Sequence, residues 1–118
     1  MEMKPFQQWV QQFYQKREWS QYNSFIRVGF LMEEVGEVAR VVRALEIGRD
    51  RPDEGERSRD ELRQELVEEL GDVLANVIVL SEKYDIDLSE IAQAHMDKLT
   101  KRFGGGFDQV TPGSQNQS

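Results

Sequence analysis

Apolar residues recur every three or four positions along most of the chain, and this spacing predicts helices. Four segments carry the pattern: a first helix near Pro5, a second from about Ser24 to Ile47, a third from Ser58 to about Tyr84, and a fourth from Asp87 or Ser89 to Phe103. No segment alternates as a half-buried strand would. The predicted fold class is therefore all-α, a four-helix, bundle-like domain.

Capping residues mark the ends of the two long middle helices. Asn23 or Ser24 suits the N-cap of the second helix, and Gly48 suits its carboxyl end. Ser58 followed by Glu61 has the form of a capping box at the start of the third helix. These residues predict where each helix begins and ends.

Two polar stretches interrupt the helical pattern. Residues 49–58 are charged, contain Pro52 and Gly55, and have almost nothing to bury, so they predict a loop. Residues 105–118 are polar and follow a glycine, so they predict a disordered tail. The remaining chain, residues 1–104, is predicted to form a single helical domain.

The two middle helices share a local sequence. Leu31–Val38 and Leu66–Val73 align without gaps at an offset of 35 residues, and both read apolar, apolar, Glu, Glu, apolar, Gly, acid, Val. Each motif lies in an apolar stripe that predicts the core. The predicted core residues are Leu31, Val35, Val38, Val42 and Leu45 in the second helix, and Leu66, Leu70, Val73 and Val77 in the third.

The acids of this repeat occupy matched angles on the two helices. At about 100° per residue, Glu34 and Glu69 fall near 300°, which lies within the apolar arc. Glu37 and Asp72 fall near 240°, at the edge of that arc. The remaining two acids point further out, near 200°, and are expected to be solvated: Glu33 and Glu68.

Carboxylates within an apolar arc are costly unless they share a partner. An unpaired buried carboxylate costs several kcal/mol or takes up a proton. If the two helices pack antiparallel, the four acids can converge, and their mutual repulsion then calls for a cation. Oxygen ligands, the absence of cysteine and a lone histidine favour magnesium first and manganese second.

Simpler interpretations compete with a metal site. Most EExxE runs are explained by a solvated acidic face, but such a face predicts that the acids lie on the polar side of the helix. Gly36 and Gly71 could simply let two helices approach closely. His95 raises a phosphotransfer role, which does not need paired acids. A di-iron site needs Glu-x-x-His pairs, and residue 92 is alanine. The serious alternative is a non-catalytic helical interaction or regulatory module.

Charge and composition narrow the partners. The net charge of −7 disfavours binding to a nucleic-acid backbone, although a cation can still bridge the protein to a phosphorylated small molecule. No apolar run approaches the length of a membrane span, and the amino terminus lacks the apolar core of a signal peptide. We therefore expect a cytoplasmic protein that binds neither nucleic acid nor membrane.

The paired motifs resemble those of a known family. Glu33-Glu34-Val-Gly-Glu37 followed by Glu69-Leu-Gly-Asp72 is similar to the EExxE…ExxD signature of the MazG-like, all-α nucleoside triphosphate pyrophosphohydrolases. The resemblance spans roughly residues 5–103. Two departures are a longer spacing between the motifs and Met96, where many members carry asparagine.

The resemblance implies an activity and an assembly. It implies that Glu34, Glu37, Glu69 and Asp72 bind Mg²⁺ and that a nucleoside triphosphate, ribo or deoxy, is hydrolysed to the monophosphate and pyrophosphate. It also implies a homodimer or homotetramer. A role in cleaning the nucleotide pool is the expected biological setting.

Further residues are predicted to serve the substrate. Glu33 or Glu68 is a candidate to accept a proton from the attacking water. Lys98 and Arg102 are candidates for phosphate contacts, although basic residues also suit the last turns of a helix. Two others are candidates for the nucleoside, by stacking and by hydrogen bonding respectively: Trp19 and Asn76.

Overall fold

The computed structural model describes residues 2–48 and 57–104 and confirms the all-α prediction. Its elements are α1 Met3–Lys16, a 3₁₀ helix Trp19–Gln21, α2 Ser24–Ile47, α3 Arg59–Glu82 and α4 Leu88–Phe103. The 3₁₀ helix falls in a connection for which the apolar spacing predicted no element. Most of the loop predicted at residues 49–58 lies outside the described residues, which resume at Arg57, and so does the predicted tail of residues 105–118.

The predicted caps are the ones that form. The Asn23 side chain accepts a hydrogen bond from the backbone N–H of Ile26 at 2.9 Å, so Asn23 caps α2. Ser58 and Glu61 form the reciprocal pair of bonds of a capping box at the start of α3. Gly48 ends α2 with a φ of 98°, a conformation that glycine adopts without strain.

The antiparallel pair of α2 and α3 is the frame of the domain. Three polar contacts join the pair along its length: Arg27 to Asn76 at 3.1 Å, Arg40 to Glu65 at 3.1 Å, and Arg59 to the carbonyl of Leu45 at 3.5 Å. Residue numbers rise on α2 as they fall on α3, which confirms that the helices run antiparallel. This arrangement brings the two acidic motifs opposite each other.

A small apolar core lies between α1 and the second half of α3. Val10, Ile78 and Val79 are buried, and half-buried apolar side chains surround them: Phe6, Tyr14, Leu74, Ala75 and Leu88. Val41 of α2 and Leu62 of α3 are also buried, nearer the other end of the pair. Helices α1 and α3 thus share one core, while α2 is covered mainly by α3.

The predicted core stripe is only partly correct. Val35, Val42 and Leu70 are 42%, 40% and 50% exposed, so their placement in the core of this chain is wrong. Val41, outside the predicted stripe, is fully buried instead. The physical reason is that a single neighbouring helix covers only one side of α2 and leaves the rest of its apolar arc uncovered.

Helix α4 packs on α1, and Asp87 is the residue that joins them. One carboxylate oxygen of Asp87 accepts bonds from Lys4 and Gln7 of α1, while the other accepts from the backbone and hydroxyl of Ser89. The bond from Lys4, followed by those from Ser89 and Gln7, lowers the pKa of Asp87 well below its ordinary value. Asp87 therefore caps α4 and attaches it to α1 at the same time.

Within residues 2–48 and 57–104, no helix is both long enough and apolar enough to cross a membrane.

We predict that Asp87→Asn lowers the free energy of unfolding at pH 7, measured by urea denaturation. Because the folded-state pKa of Asp87 is depressed, its contribution is complete above the ordinary value of 3.8 and is lost as the pH falls below it. The difference between wild type and variant should therefore narrow at pH 3. Glu90→Gln, which removes a charge from the same turn, is the control and should cost less at pH 7. A difference that is constant with pH would contradict the assignment.

Candidate metal centre

Three of the four predicted ligands converge between α2 and α3. Glu34 of α2 meets Glu69 and Asp72 of α3, and each offers a carboxylate oxygen that lies within 4.8 Å of the others. We call these three residues the acidic trio. Glu69 and Asp72 lie on one side of α3 because they are three residues apart, which is nearly one helical turn. The antiparallel register then sets Glu34 against them.

The exposure of the acids confirms the inward placement that the helical wheel predicted for Glu34 and Glu69. Glu34 and Glu69 are half-buried, as expected for positions within the apolar arc. The other four acids of the two motifs are exposed: Glu33, Glu37, Glu68 and Asp72.

The trio concentrates negative charge in a partly desolvated place. Burial raises the pKa of Glu34, and the charges of Asp72 and Glu69 raise it further. The pKa of Glu69 is raised by the same two causes, burial first and then Asp72. Within the part of the chain that the structure describes, burial and neighbouring acids account for the shift of Glu34, and no basic residue opposes it. A cation bound between the three carboxylates would relieve both the burial and the repulsion.

The donor set fits a hard divalent ion. All three ligands are carboxylate oxygens, which magnesium and manganese prefer. Two oxygens on one magnesium ion can be at most about 4.2 Å apart, twice the usual bond length of about 2.1 Å. The 4.8 Å limit of the trio is close to this value, so small side-chain rotations would suffice to bind an ion.

Glu37, the fourth predicted ligand, is bound elsewhere. Its carboxylate accepts a hydrogen bond from Nε of Arg40 at 3.0 Å, and Arg40 also bridges to Glu65 of α3. Glu37 still lies close enough to raise the pKa values of Glu34 and Glu69. An exposed pair of this spacing contributes only about 0.3–0.5 kcal/mol, so Glu37 can leave Arg40 at little cost. Its role as a ligand stays a prediction.

Asn76 is buried beside the trio, and both the oxygen and the nitrogen of its side chain are hydrogen-bonded. It is 5% exposed, its Oδ1 accepts from Arg27, and its Nδ2 donates to the carbonyl of Asp72 at 2.8 Å. Contact with a sugar or base stays a prediction, and in this structure it would require those bonds to change.

Arg27 is the residue of this region that the sequence reasoning missed. It lies in α2 seven residues before Glu34, two turns away on the same face, and is 3% exposed. A charged residue within 20° of Glu34 on the helical wheel was the available signal, since 7 residues at about 100° nearly complete two turns.

An aromatic cluster borders the trio. Trp19 is 41% exposed and meets the rings of Phe13 and Tyr14 edge to face, with centroids 6.0 and 5.4 Å away. Burial raises the pKa of Tyr14, and Asp72 and Glu34 are close enough to raise it further, although Arg27 opposes them. Trp19 is thus joined through Tyr14 to the neighbourhood of the acids.

Lys98 and Arg102 are not brought to the trio by this chain. Both are exposed on the second half of α4, and that helix is anchored to α1 at its opposite end. Neither residue makes a hydrogen bond or ion pair with the acids within the described residues. Phosphate contact by these two residues stays a prediction.

The glycines of the two motifs do not mark a close helix contact. A Cβ atom added to Gly36 or Gly71 would meet nothing within 4 Å. The interpretation that they let helices approach closely is therefore wrong for this chain. They leave open space beside Glu37 and Asp72.

Comparison with known proteins identifies the class of this protein. The family model for the MazG nucleotide pyrophosphohydrolase domain matches residues 27–107, which include both acidic motifs. The chain belongs to this family, whose members typically depend on divalent metal ions. The uncharacterized protein YvdC of Bacillus subtilis (strain 168) is 56% identical over 103 residues, which cover 87% of this chain and 97% of that protein. No solved structure matches significantly.

We predict that Glu34→Gln raises the free energy of unfolding at pH 7 in metal-free buffer. Because the pKa of Glu34 is raised on folding, the wild type loses stability as the pH rises above the ordinary value of 4.5, and the amide removes that loss. The gain should vanish near pH 4. The neighbouring Glu33→Gln should change stability less, since Glu33 is exposed. A loss of stability in Glu34→Gln would show that this carboxylate has a structural partner.

Proposed function

We propose that this protein is a Mg²⁺-dependent nucleoside triphosphate pyrophosphohydrolase, which cleaves ribo- or deoxynucleoside triphosphates to the monophosphate and pyrophosphate and serves to clean the nucleotide pool. The observation that supports it best is the acidic trio, in which two half-buried carboxylates and one exposed carboxylate from two helices converge. Among the described residues, no basic side chain forms an ion pair with Glu34. A triphosphate is a polyanion, so a cation is needed to join it to these acids. Membership of the MazG family supports the same reaction class.

Each residue of the proposed site would have a distinct role. Glu34, Glu69 and Asp72 would hold the ion, with Glu37 joining them after release from Arg40. The ion would supply charge neutralisation at the α-phosphate and activation of the attacking water. Glu33 or Glu68, which are exposed beside the ligands, would accept the proton of that water. Trp19 would stack on the base, and Lys98 and Arg102 would contact the distal phosphates.

Pyrophosphate release from a panel of nucleotides tests this proposal. We expect release with Mg²⁺, weaker or comparable release with Mn²⁺, and none with EDTA. Asp72→Asn and Glu69→Gln should each lower kcat by more than about 100-fold, because removal of a metal ligand costs more than removal of its supporting partner. Glu82→Gln, an acid outside both motifs on the same helix, is the control and should retain activity. Absence of release from every canonical and modified triphosphate would refute the proposal.

We also propose that two copies of the chain pair through α2. Six of the exposed apolar residues of this helix recur at alternating intervals of three and four, the spacing of a coiled-coil seam. We call them the α2 seam: Phe25, Val28, Met32, Val35, Ala39 and Val42. Phe25 is 91% exposed, which is unusual for so large an apolar side chain. A second copy would cover this seam, and the resulting homodimer could pair again as a homotetramer.

Light scattering coupled to gel filtration tests the seam. We predict that the double variant Met32→Glu and Val35→Glu is monomeric where the wild type is a dimer or tetramer, since a symmetric interface doubles every buried charge. Ile47→Glu is the matched control, because Ile47 is an exposed apolar residue of α2 outside the seam. A wild type that is monomeric at all concentrations, or a double variant that still assembles, would contradict the pairing.

A further inference from the structure

Arg27 carries a charge that is buried without a carboxylate partner. It is 3% exposed, and none of the described acids forms an ion pair with it. Its Nη1 donates to Asn76 Oδ1 at 3.1 Å, its Nη2 donates to the carbonyl of Trp19, and its Nε has no partner. Burial accordingly lowers the pKa of Arg27.

Aromatic faces compensate only part of the cost of this burial. The guanidinium lies 5.1 Å from the ring centre of Phe30, 5.6 Å from that of Tyr14 and 5.9 Å from that of Tyr22. Cation–π contacts are individually modest, whereas an apolar side chain could fill the same space without desolvating a charge. What arginine adds at this position is therefore the pair of directed hydrogen bonds.

These bonds lead from Arg27 to the acidic trio. Arg27 donates a hydrogen bond to the side-chain oxygen of Asn76. The side-chain nitrogen of Asn76 in turn donates to the backbone carbonyl of Asp72, one turn earlier in α3. At its other end Arg27 holds the carbonyl of Trp19. One buried side chain thus joins α2, α3 and the 3₁₀ helix at a point about 10 Å along α2 from Glu34, at a rise of about 1.5 Å per residue.

The trio needs such a connection because its own charges push the helices apart. Arg40 and Glu65 join α2 and α3 beyond the trio, but that contact is exposed and worth little. The contact of Arg27 with Asn76 is the buried one of the two. We propose that Arg27 is a positioning residue, which sets through Asn76 the spacing of Glu34 from Glu69 and Asp72 and thereby the affinity of the trio for a divalent ion. This inference rests on the proposed metal site.

Mn²⁺ binding to the full chain, followed by calorimetry without nucleotide, tests the inference. Arg27→Met keeps an unbranched apolar stem in place of the arginine stem and removes both bonds, and it should weaken Mn²⁺ binding by about 10-fold or more, the usual effect of losing a supporting partner. Arg27→Lys keeps the charge but not the planar pair of donors, and it should recover less than half of the lost affinity on a logarithmic scale.

Lys83→Met is the matched control. Lys83, the residue that directly follows α3, donates to the carbonyl of Ser20 at 2.8 Å, so it also ties the end of a long helix to the 3₁₀ helix. Within the described residues it makes no bond to Asn76 or to the trio. We expect a lowered melting temperature in Lys83→Met with Mn²⁺ affinity within about 2-fold of wild type, a difference worth about 0.4 kcal/mol. All affinities are to be measured well below the melting temperature of each variant.

The outcomes separate this inference from the proposed function. Wild-type Mn²⁺ affinity in Arg27→Met, or full recovery in Arg27→Lys, would overturn the positioning role and leave the activity intact. Mn²⁺ binding that depends on Arg27 in a chain that hydrolyses no triphosphate would support the positioning role and refute the pyrophosphohydrolase. If Arg27→Met does not fold, Arg27→Lys alone decides: weaker Mn²⁺ binding supports the role, and unchanged binding overturns it.

Discussion

The antiparallel register of α2 against α3 is the constraint on which the rest of the structure depends. It sets Glu34 opposite Glu69 and Asp72, whose charges repel one another at a partly buried place between the helices. Polar contacts on either side of the trio oppose this repulsion, a buried one at Arg27 and an exposed one at Arg40. A binding site of this kind is a local cost in stability that the surrounding bonds and core must offset.

The same register explains why the domain is incompletely covered. Facing α3 with one side leaves the α2 seam in solvent, and Leu70 of α3 is likewise half-exposed. A core built mainly from α1 and α3 is small for a chain of 118 residues. The exposed α2 seam and the repulsion within the acidic trio are therefore two consequences of one helix pair. A second copy of the chain would cover the seam, and a cation would neutralise the trio.

Much of the fold was predictable because its signals are local. The caps at Asn23, Ser58 and Asp87 depend on residues within one turn, so sequence patterns identified Ser58 and limited each of the other two to a pair of candidates. The 3₁₀ helix was not predicted, because it is shorter than the window over which periodicity can be recognised. Assigning Val35 to the core failed for a different reason: hydrophobic spacing shows which face is apolar but not what covers it.

The sequence by itself determined that two helices carry matched acids, and which of these acids point inward, since the angle of a residue on its own helix depends only on its position. Tertiary structure alone decided that Arg27 is buried against Asn76, and that Arg40, which pairs with Glu37 on its own helix, also reaches Glu65 of α3. These outcomes depend on the rotation and offset of one helix relative to another. Residues far apart in the chain set both quantities, so a pattern read along one helix does not contain them.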